Sequence, residues 1–149
     1  MGDNQLPDEI KKAAKVIDRA LENKDIEVIL SCFSDDCEIE LCDIKLEGKE
    51  GVKRWADWLY LYLVEVKFVP VTIMVDGNTF FEEFILEAKL KDGTEVRVKQ
   101  AEVLVYENYK IKSLRLYFDR LDFANLVAKG AIDKAIVRRF IKKSLEGLI

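Results

Sequence analysis

Apolar positions in the first third of the chain recur every three or four residues, which is the period of one face of a helix. One such set runs from Ile10 to Leu21 and predicts a first helix. Asp25 can cap a second, shorter helix whose apolar face ends at Phe33. Cys37 to Leu41 then alternates apolar and polar residues, so we expect a half-buried strand there.

A third helix and four strands are predicted for the middle of the chain. Gly48 to Gly51 interrupts the preceding pattern, and Trp55 and Trp58 share one helical stripe after it. Segments with a period of two follow, separated by turn residues that are typical of hairpins. The four predicted strands are Val66–Val75, Thr79–Leu90, Thr94–Tyr106 and Lys110–Asp119. Helices followed by an antiparallel meander indicate an α+β fold.

Helical spacing returns after Asp119, where Gly130 separates or kinks two apolar stripes. Residues 129–143 carry six bases and one acid, whereas the whole chain has 24 bases and 28 acids. We interpret the basic stretch as the solvated face of a terminal helix; the alternative is contact with an acidic partner or an anionic membrane. The acidic balance argues against nucleic-acid binding, and the absence of a long apolar run argues against a transmembrane span. We do not expect membrane contact.

The chain has three cysteines and no histidine. Without histidine there is no Ser-His-Asp triad, no Cys-His pair and no histidine metal site. Cys32, Cys37 and Cys42 lack the close C-x2-C pair of a zinc site, so we expect small buried residues and predict neither a metal nor another cofactor. The start of the sequence lacks the apolar segment of a signal peptide, and we therefore expect a cytoplasmic protein.

The order of these elements resembles that of a known superfamily. Two helices, Phe33–Asp36, a strand, Glu47–Gly51, a helix and a meander ending in Lys110–Asp119 follow one another. This order resembles the SnoaL-like and ketosteroid-isomerase families of the nuclear-transport-factor-like cone fold. The resemblance covers about residues 8–123 and implies a curved, cone- or barrel-like sheet around the N-terminal helices, with a central pocket and a homodimer formed through the outer sheet face. Residues 121–149 would be a helical extension of a single domain spanning residues 1–149.

The catalytic positions of these families are occupied by other residues in an alignment made by eye. The ketosteroid-isomerase base, oxyanion tyrosine and protonated aspartic acid would fall at Leu41, Ile17 and Ala101. The Arg and two Asp of limonene-epoxide hydrolases, which look similar around residues 115–119, would fall near Glu83, Ile85 and Leu116. The resemblance therefore implies the fold without either set of catalytic residues.

Hairpin tips at Asp92-Gly93 and Asn108-Tyr109 predict which side chains share a sheet face. They place Phe84 on one apolar, concave face with Ala101 and Val103. The other face would then carry a cross-strand row of Glu83, Glu102 and Arg115. We interpret this row as a surface or interface ion network; with the opposite facing it would be a polar site.

Two functions follow from the resemblance. The first is a pocket that binds a small hydrophobic molecule, with isomerase, cyclase or hydrolase activity as an open question. Its predicted lining residues are Ile17, Leu41, Trp55, Trp58, Phe84, Ala101, Val103, Leu116 and Phe118. Candidate acids and bases are Glu40, Asp43, Glu83, Tyr60 and Tyr62, each of which is also a common surface or packing residue. The second function is a non-enzymatic dimerisation or interaction module of the same fold.

Overall fold

The computed structural model describes residues 4–149, which form two compact units. The first unit ends at Tyr117, and the second runs from Phe118 to Ile149. The helices are α1 (Pro7–Asn23), α2 (Ile26–Ser31), α3 (Gly48–Tyr62), α4 (Arg120–Val127) and α5 (Gly130–Ser144). The strands are β1 (Phe33–Leu41), β2 (Ile44–Glu47), β3 (Leu63–Asp76), β4 (Thr79–Leu90), β5 (Glu95–Glu107) and β6 (Lys110–Phe118).

The strands form one curved, open sheet in the order β2-β1-β6-β5-β4-β3. Neighbouring strands along the meander are antiparallel, whereas β1 pairs with β6 in parallel. The predicted α+β architecture, with N-terminal helices and a curved sheet, is confirmed. Sequence analysis did not predict β2, a four-residue strand that turns back from β1 at Cys42 and Asp43, both of which have positive φ.

Helix α1 lies against the sheet because a regular stripe of its residues is apolar. Ile10, Ala14, Ile17 and Leu21 are buried at successive helical turns, and the helix packs against β3. On the sheet, Phe80, Phe84, Leu86 and Ala88 are buried at alternate positions of β4. We call the sheet face that carries these β4 residues the inner face. On β5 the buried positions are Val98, Leu104 and Tyr106.

The start of α1 is tied to the hairpin between β5 and β6. The buried side chain of Gln5 donates a hydrogen bond to the Tyr106 carbonyl oxygen at 2.9 Å and accepts one from the Tyr109 amide at 2.6 Å. The Leu6 amide also donates to the Tyr109 hydroxyl at 3.0 Å. These bonds fix the position at which α1 begins to cross the sheet.

The predicted facing of β5 is wrong by one residue. The connection from β4 to β5 has three residues, since Leu90 and Thr94 close it through a 2.8 Å hydrogen bond and Gly93 has a φ of 87°. The two-residue tip predicted at Asp92-Gly93 would have shifted the pairing. Because side chains alternate between faces, this single residue reverses the side that each β5 residue occupies.

The consequence for the predicted concave face is direct. Phe84 pairs with Gln100, and Glu83 pairs with Ala101. Ala101 and Val103 therefore lie on the outer face, opposite to Phe84, and Glu102 lies on the inner face. Glu83 and Glu102 therefore lie on opposite faces of the sheet, and the predicted row of Glu83, Glu102 and Arg115 on one face is wrong.

The second unit is a pair of helices. The Asp119 side chain caps α4 by accepting a 2.8 Å hydrogen bond from the Leu121 amide, and Phe118 meets Phe123 edge to face. Helix α5 leaves Ile132 and Phe140 exposed, at 77% and 61% of their surface. Among the helices of residues 4–149, none combines the length and the apolarity that a membrane crossing requires.

Candidate functional site

Three carboxyl groups meet on the inner face. Glu82 of β4 and Glu102 of β5 pair directly across the two strands, and Asp18 of α1 reaches them from the helix. One carboxylate oxygen from each of the three lies within 4.8 Å of the other two. Glu82 is only 2% exposed, and Asp18 and Glu102 are half-buried. We call these three residues the acidic cluster.

Each member of the acidic cluster occupies a position that its element buries. Asp18 follows Ala14 by four residues and precedes Leu21 by three, so all three side chains share one side of α1. Glu82 stands between Phe80 and Phe84 in the buried alternation of β4. Asp18 and Glu82 thus each interrupt an apolar stripe, and this interruption reveals them in the sequence once the stripes are assigned to faces.

Glu82 and Glu102 share a proton. Burial raises the pKa of both groups, and the hydrogen bond between them lowers the pKa of Glu82 while it raises that of Glu102. The pKa of Glu102 is further raised by the nearby charges of Asp18 and Glu82. Glu102 is therefore the donor and Glu82 the acceptor of the hydrogen bond in this pair.

Asp18 is also protonated near neutral pH. Burial raises its pKa to about 8, and the charges of Glu82 and Glu22 contribute to the shift. Glu22 lies one helical turn beyond Asp18 and accepts a 3.0 Å hydrogen bond from the Phe68 amide. A carboxyl group with this pKa can donate or accept a proton at physiological pH.

Tyr106 lies on the same face of β5 as Glu102, two alternations further along the strand. It is 1% exposed, and its hydroxyl has no hydrogen-bond partner among residues 4–149. Burial raises its pKa, and the charges of Glu102, Asp18 and Glu82 add to this rise. The hydroxyl is therefore within electrostatic range of the whole acidic cluster.

Aromatic rings flank the cluster on β4. Phe80 and Phe84 are 1% and 3% exposed and lie on either side of Glu82 on the inner face. Phe68 of β3 meets Phe84 edge to face, with ring centroids 5.7 Å apart. Three carboxyl oxygens at this spacing suit a small cation geometrically, but the side chains beside them on β4 are apolar.

The predicted lining residues are distributed over several parts of the molecule. Ile17 is buried and is adjacent to Asp18 in sequence. Phe84 is buried on the same face of β4 as Glu82. Leu41 and Trp55 are buried, and Trp58 and Leu116 are half-buried. Trp55 packs against Phe33, and its indole nitrogen is buried without a hydrogen-bond partner in the described part of the chain. The remaining members of the predicted set lie on the outer face (Ala101, Val103) and in the second unit (Phe118).

None of the five predicted acids and bases belongs to the acidic cluster. The Tyr60 hydroxyl donates a 2.7 Å hydrogen bond to the Leu21 carbonyl oxygen, and burial raises its pKa to about 12. Glu40 pairs with Lys45 and Arg115 on the neighbouring strands. Asp43 lies in the exposed turn before β2, Tyr62 ends α3, and Glu83 is exposed on the outer face. Sequence analysis missed the acidic cluster in their place.

A separate groove of about 420 Å³ lies where β3, β4 and β5 run side by side. It is lined by Glu65, Val66, Lys67, Glu87, Ala88, Lys89, Glu95, Val96 and Arg97. Exposed ion pairs bridge its strands, Lys89 to Glu65 at 3.4 Å and Arg97 to Glu87 at 3.3 Å. Its charged, open lining differs from the apolar pocket that the sequence predicts.

Comparison with known proteins identifies the fold. The family model of the SnoaL-like domain matches residues 13–114. No curated protein sequence is significantly similar to the chain.

Solved structures agree with the family match. An NTF2-like protein of unknown function from Burkholderia pseudomallei superposes with a TM-score of 0.74 at 14% identity, covering 81% of this chain and 98% of that one. A candidate SnoaL-like polyketide cyclase from Jannaschia sp. CCS1 has a TM-score of 0.75 at 12% identity, covering 87% and 100%. A de novo designed protein with a curved β-sheet has a TM-score of 0.64 at 23% identity, covering 93% and 99%.

Proposed function

The chain belongs to the SnoaL-like domain family, and we propose that it binds a small, mostly apolar molecule on the inner face of its sheet. The observation that carries this proposal is the acidic cluster, whose three carboxyl groups converge among apolar side chains. Buried carboxyl groups are costly for a fold, since each loses hydration that neighbouring acids do not replace. A group of three is therefore explained better by a function than by stability.

The cluster supplies the groups that proton transfer requires. Glu82 is the hydrogen-bond acceptor of the pair and acts as the base that accepts a proton from carbon. Glu102, the donor in the hydrogen bond between the two strands, donates to the oxygen on which negative charge develops. An isomerase or cyclase acting next to a carbonyl group would use such a set, and a similar fold occurs in the candidate polyketide cyclase of Jannaschia.

Two of the three ketosteroid-isomerase positions fall next in sequence to the acidic cluster, whereas the third, the base, falls at Leu41 on β1 and not at Glu82. By eye, the oxyanion tyrosine and the protonated acid of ketosteroid isomerases fall at Ile17 and Ala101, which are adjacent in sequence to Asp18 and Glu102. A shift of one residue exchanges the faces of β5, and Glu102 is the residue that faces inward. A neutral carboxylic acid in an apolar site is an effective hydrogen-bond donor.

The experiment is a turnover and binding screen with matched variants. Hydrophobic ketones, lactones and epoxides are incubated with the protein, products are followed by mass spectrometry, and binding is followed by thermal shift. Glu82→Gln is expected to abolish turnover and Glu83→Gln, its exposed neighbour on the outer face, to leave it unchanged. No turnover together with no thermal shift for any compound contradicts the proposal, and so does equal turnover by the two variants.

A non-enzymatic homodimerisation module is the second candidate. It is favoured by the outer face, where Met74, Phe81 and Val103 form an apolar row across three strands. Met74 is 57% exposed, and Phe81 and Val103 are half-buried. A second copy covering this row would bury it. A cytoplasmic location and the absence of nucleic-acid binding stay predictions.

A further inference from the structure

The acidic cluster has no basic counterpart among the described residues. Ion pairs among residues 4–149 include Lys12 with Glu9, Lys45 with Glu38, Lys89 with Glu65, Arg97 with Glu87 and Lys112 with Asp36. None of these pairs includes Asp18, Glu82 or Glu102, and Glu22 adds a fourth carboxyl group on the same helix. The inner face therefore presents acidity that no basic side chain balances, and a positive charge that entered it would be stabilised by each carboxyl group that is ionised.

The surroundings of the cluster favour an organic cation. Phe80 and Phe84 flank Glu82 with aromatic surface, which attracts cations through its electron-rich face. Tyr106 adds a third ring and a buried hydroxyl oxygen that has no partner in the described part of the chain. This hydroxyl is an independent observation from the carboxyl groups, since an unpartnered buried polar atom requires an acceptor or donor from elsewhere.

A metal ion matches these surroundings less well. Divalent magnesium or calcium takes six to eight oxygen ligands, supplied by protein and water. The cluster and Tyr106 together offer oxygen atoms from four side chains, and Gln100 on the inner face of β5 adds a fifth. The other neighbouring positions on this face are Phe80, Phe84 and the fully buried Leu104. A molecule with an ammonium group on an apolar body fits both the carboxyl groups and the aromatic rings. Its charge pairs with a carboxylate, and its carbon atoms pack against the rings.

We propose that the molecule bound on the inner face carries a protonated amino group, which pairs with Asp18 and places the rest of the molecule against Glu82 and Glu102. This inference rests on the proposed function, because it names the class of ligand that the same site takes. The amino group remains protonated and unchanged. Its positive charge lowers the pKa of Asp18, whose carboxyl group releases its proton to solvent on binding and pairs with the cation as a carboxylate. Asp18 is the helix-borne member of the cluster, so it holds the cation while the strand pair faces the reacting carbon.

The test compares two ligands that differ in charge alone. Cyclohexylmethylamine is protonated at pH 7, and cyclohexylmethanol has nearly the same shape without the charge. Their dissociation constants are measured by isothermal titration calorimetry with the full chain, and the binding site is located by NMR chemical shifts of residues 80–84. We expect the amine to bind at least tenfold more tightly than the alcohol, with shifts around Glu82.

Variants identify the carboxyl group that is responsible. Asp18→Asn is expected to remove the preference for the amine and to leave the affinity for the alcohol within about twofold. Glu83→Gln, on the outer face of β4, is expected to preserve the preference. Both replacements are nearly isosteric, and circular dichroism with thermal melting confirms that each variant is folded before it is titrated.

The outcomes separate this inference from the function on which it rests. Equal binding of amine and alcohol at the inner face overturns the ammonium inference and leaves the proposed binding of a small molecule on this face standing. Binding of neither ligand contradicts both proposals. Tight binding of Mn²⁺ that displaces the amine and is lost in Asp18→Asn shows that a metal ion is the occupant, and it also overturns the inference.

Discussion

The Glu82 and Glu102 side chains oppose each other directly across β4 and β5 and hold one proton between them. Adjacent like charges on paired strands destabilise a sheet, and sharing a proton removes one of the two charges. The pair lies on the inner face because the connection between its strands has three residues. The three-residue connection, which made the predicted register wrong, thus also brings Glu82 and Glu102 together on the inner face.

Folding stability is expected to fall as the pH rises from about 4 to about 8. Asp18 has a pKa of about 8 in the folded protein against 3.8 ordinarily, so the folded state binds more protons than the unfolded chain between these values. The free energy of unfolding therefore decreases with pH across this interval. Urea unfolding followed by circular dichroism at half-unit steps of pH checks this; stability that rises between pH 6 and 8 would contradict the raised pKa.

Neutralising Asp18 is expected to remove much of this dependence. Asp18→Asn has little effect at pH 4.5, where the native carboxyl group is already protonated, and stabilises the protein by roughly 2 kcal/mol at pH 8.5. The control is Glu83→Gln, whose exposed side chain predicts a change within about 0.5 kcal/mol at both pH values. A loss of stability for Asp18→Asn at pH 8.5 would show that the ionised carboxylate has a favourable partner.

Removing the Gln5 side chain is expected to loosen the start of α1. Gln5→Ala eliminates the hydrogen bonds to the Tyr106 carbonyl and from the Tyr109 amide, which should lower the free energy of unfolding by about 1–3 kcal/mol. Asn4→Ala, at an exposed position next to it, is the matched control. If the two variants unfold at the same urea concentration, the Gln5 contacts do not hold the helix in solution.

The three-residue connection is tested at Gly93. Its φ of 87° is unfavourable for a residue with a side chain, so Gly93→Ala should destabilise the protein by about 1 kcal/mol. A Cβ atom at this position would meet nothing within 4 Å, so a steric clash does not contribute. Lys91→Ala in the same exposed turn should be nearly neutral, and an equally neutral Gly93→Ala would argue against the observed turn.

Dimerisation through the outer face predicts a clear effect of charge. Val103→Lys introduces a cation into the apolar row with Phe81 and Met74, and it should convert a dimer into a monomer in sedimentation velocity. Lys99→Glu, an exposed change of charge on the same strand, should leave the dimer intact. A wild-type chain that sediments as a monomer at all concentrations would reject the homodimer.

The regular elements were accessible from sequence because their periods are strong. The stripe from Ile10 to Leu21 predicted α1, and the alternation from Thr79 to Leu90 gave the bounds of β4 as they are observed. Strand β2 was not predicted because it has only four residues, with a lysine and a glutamate among them. Short strands of this kind have too few positions for a period to be recognised.

The acidic cluster was not predicted because the facing of β5 is ambiguous in the sequence. Val98 and Leu104 on one face and Val103 and Val105 on the other are all apolar, so either face could be the buried one. Only the length of the preceding turn decides between them, and a two-residue tip differs from a three-residue connection by one position. The position of Asp18 beside this pair depends on how α1 packs against the sheet, which the sequence pattern does not show.

The protonation of the acidic cluster is the most direct measure of the central claim. Carboxyl-carbon NMR of the full chain, with signals assigned through Asp18→Asn, Glu82→Gln and Glu102→Gln, follows each group from pH 3 to pH 9. We predict that Asp18 titrates near pH 8 and that Glu102 titrates well above the usual range, with Glu82 changing as its partner does. Independent titration of all three at ordinary values of about 3.9 to 4.3 would contradict a shared, buried site.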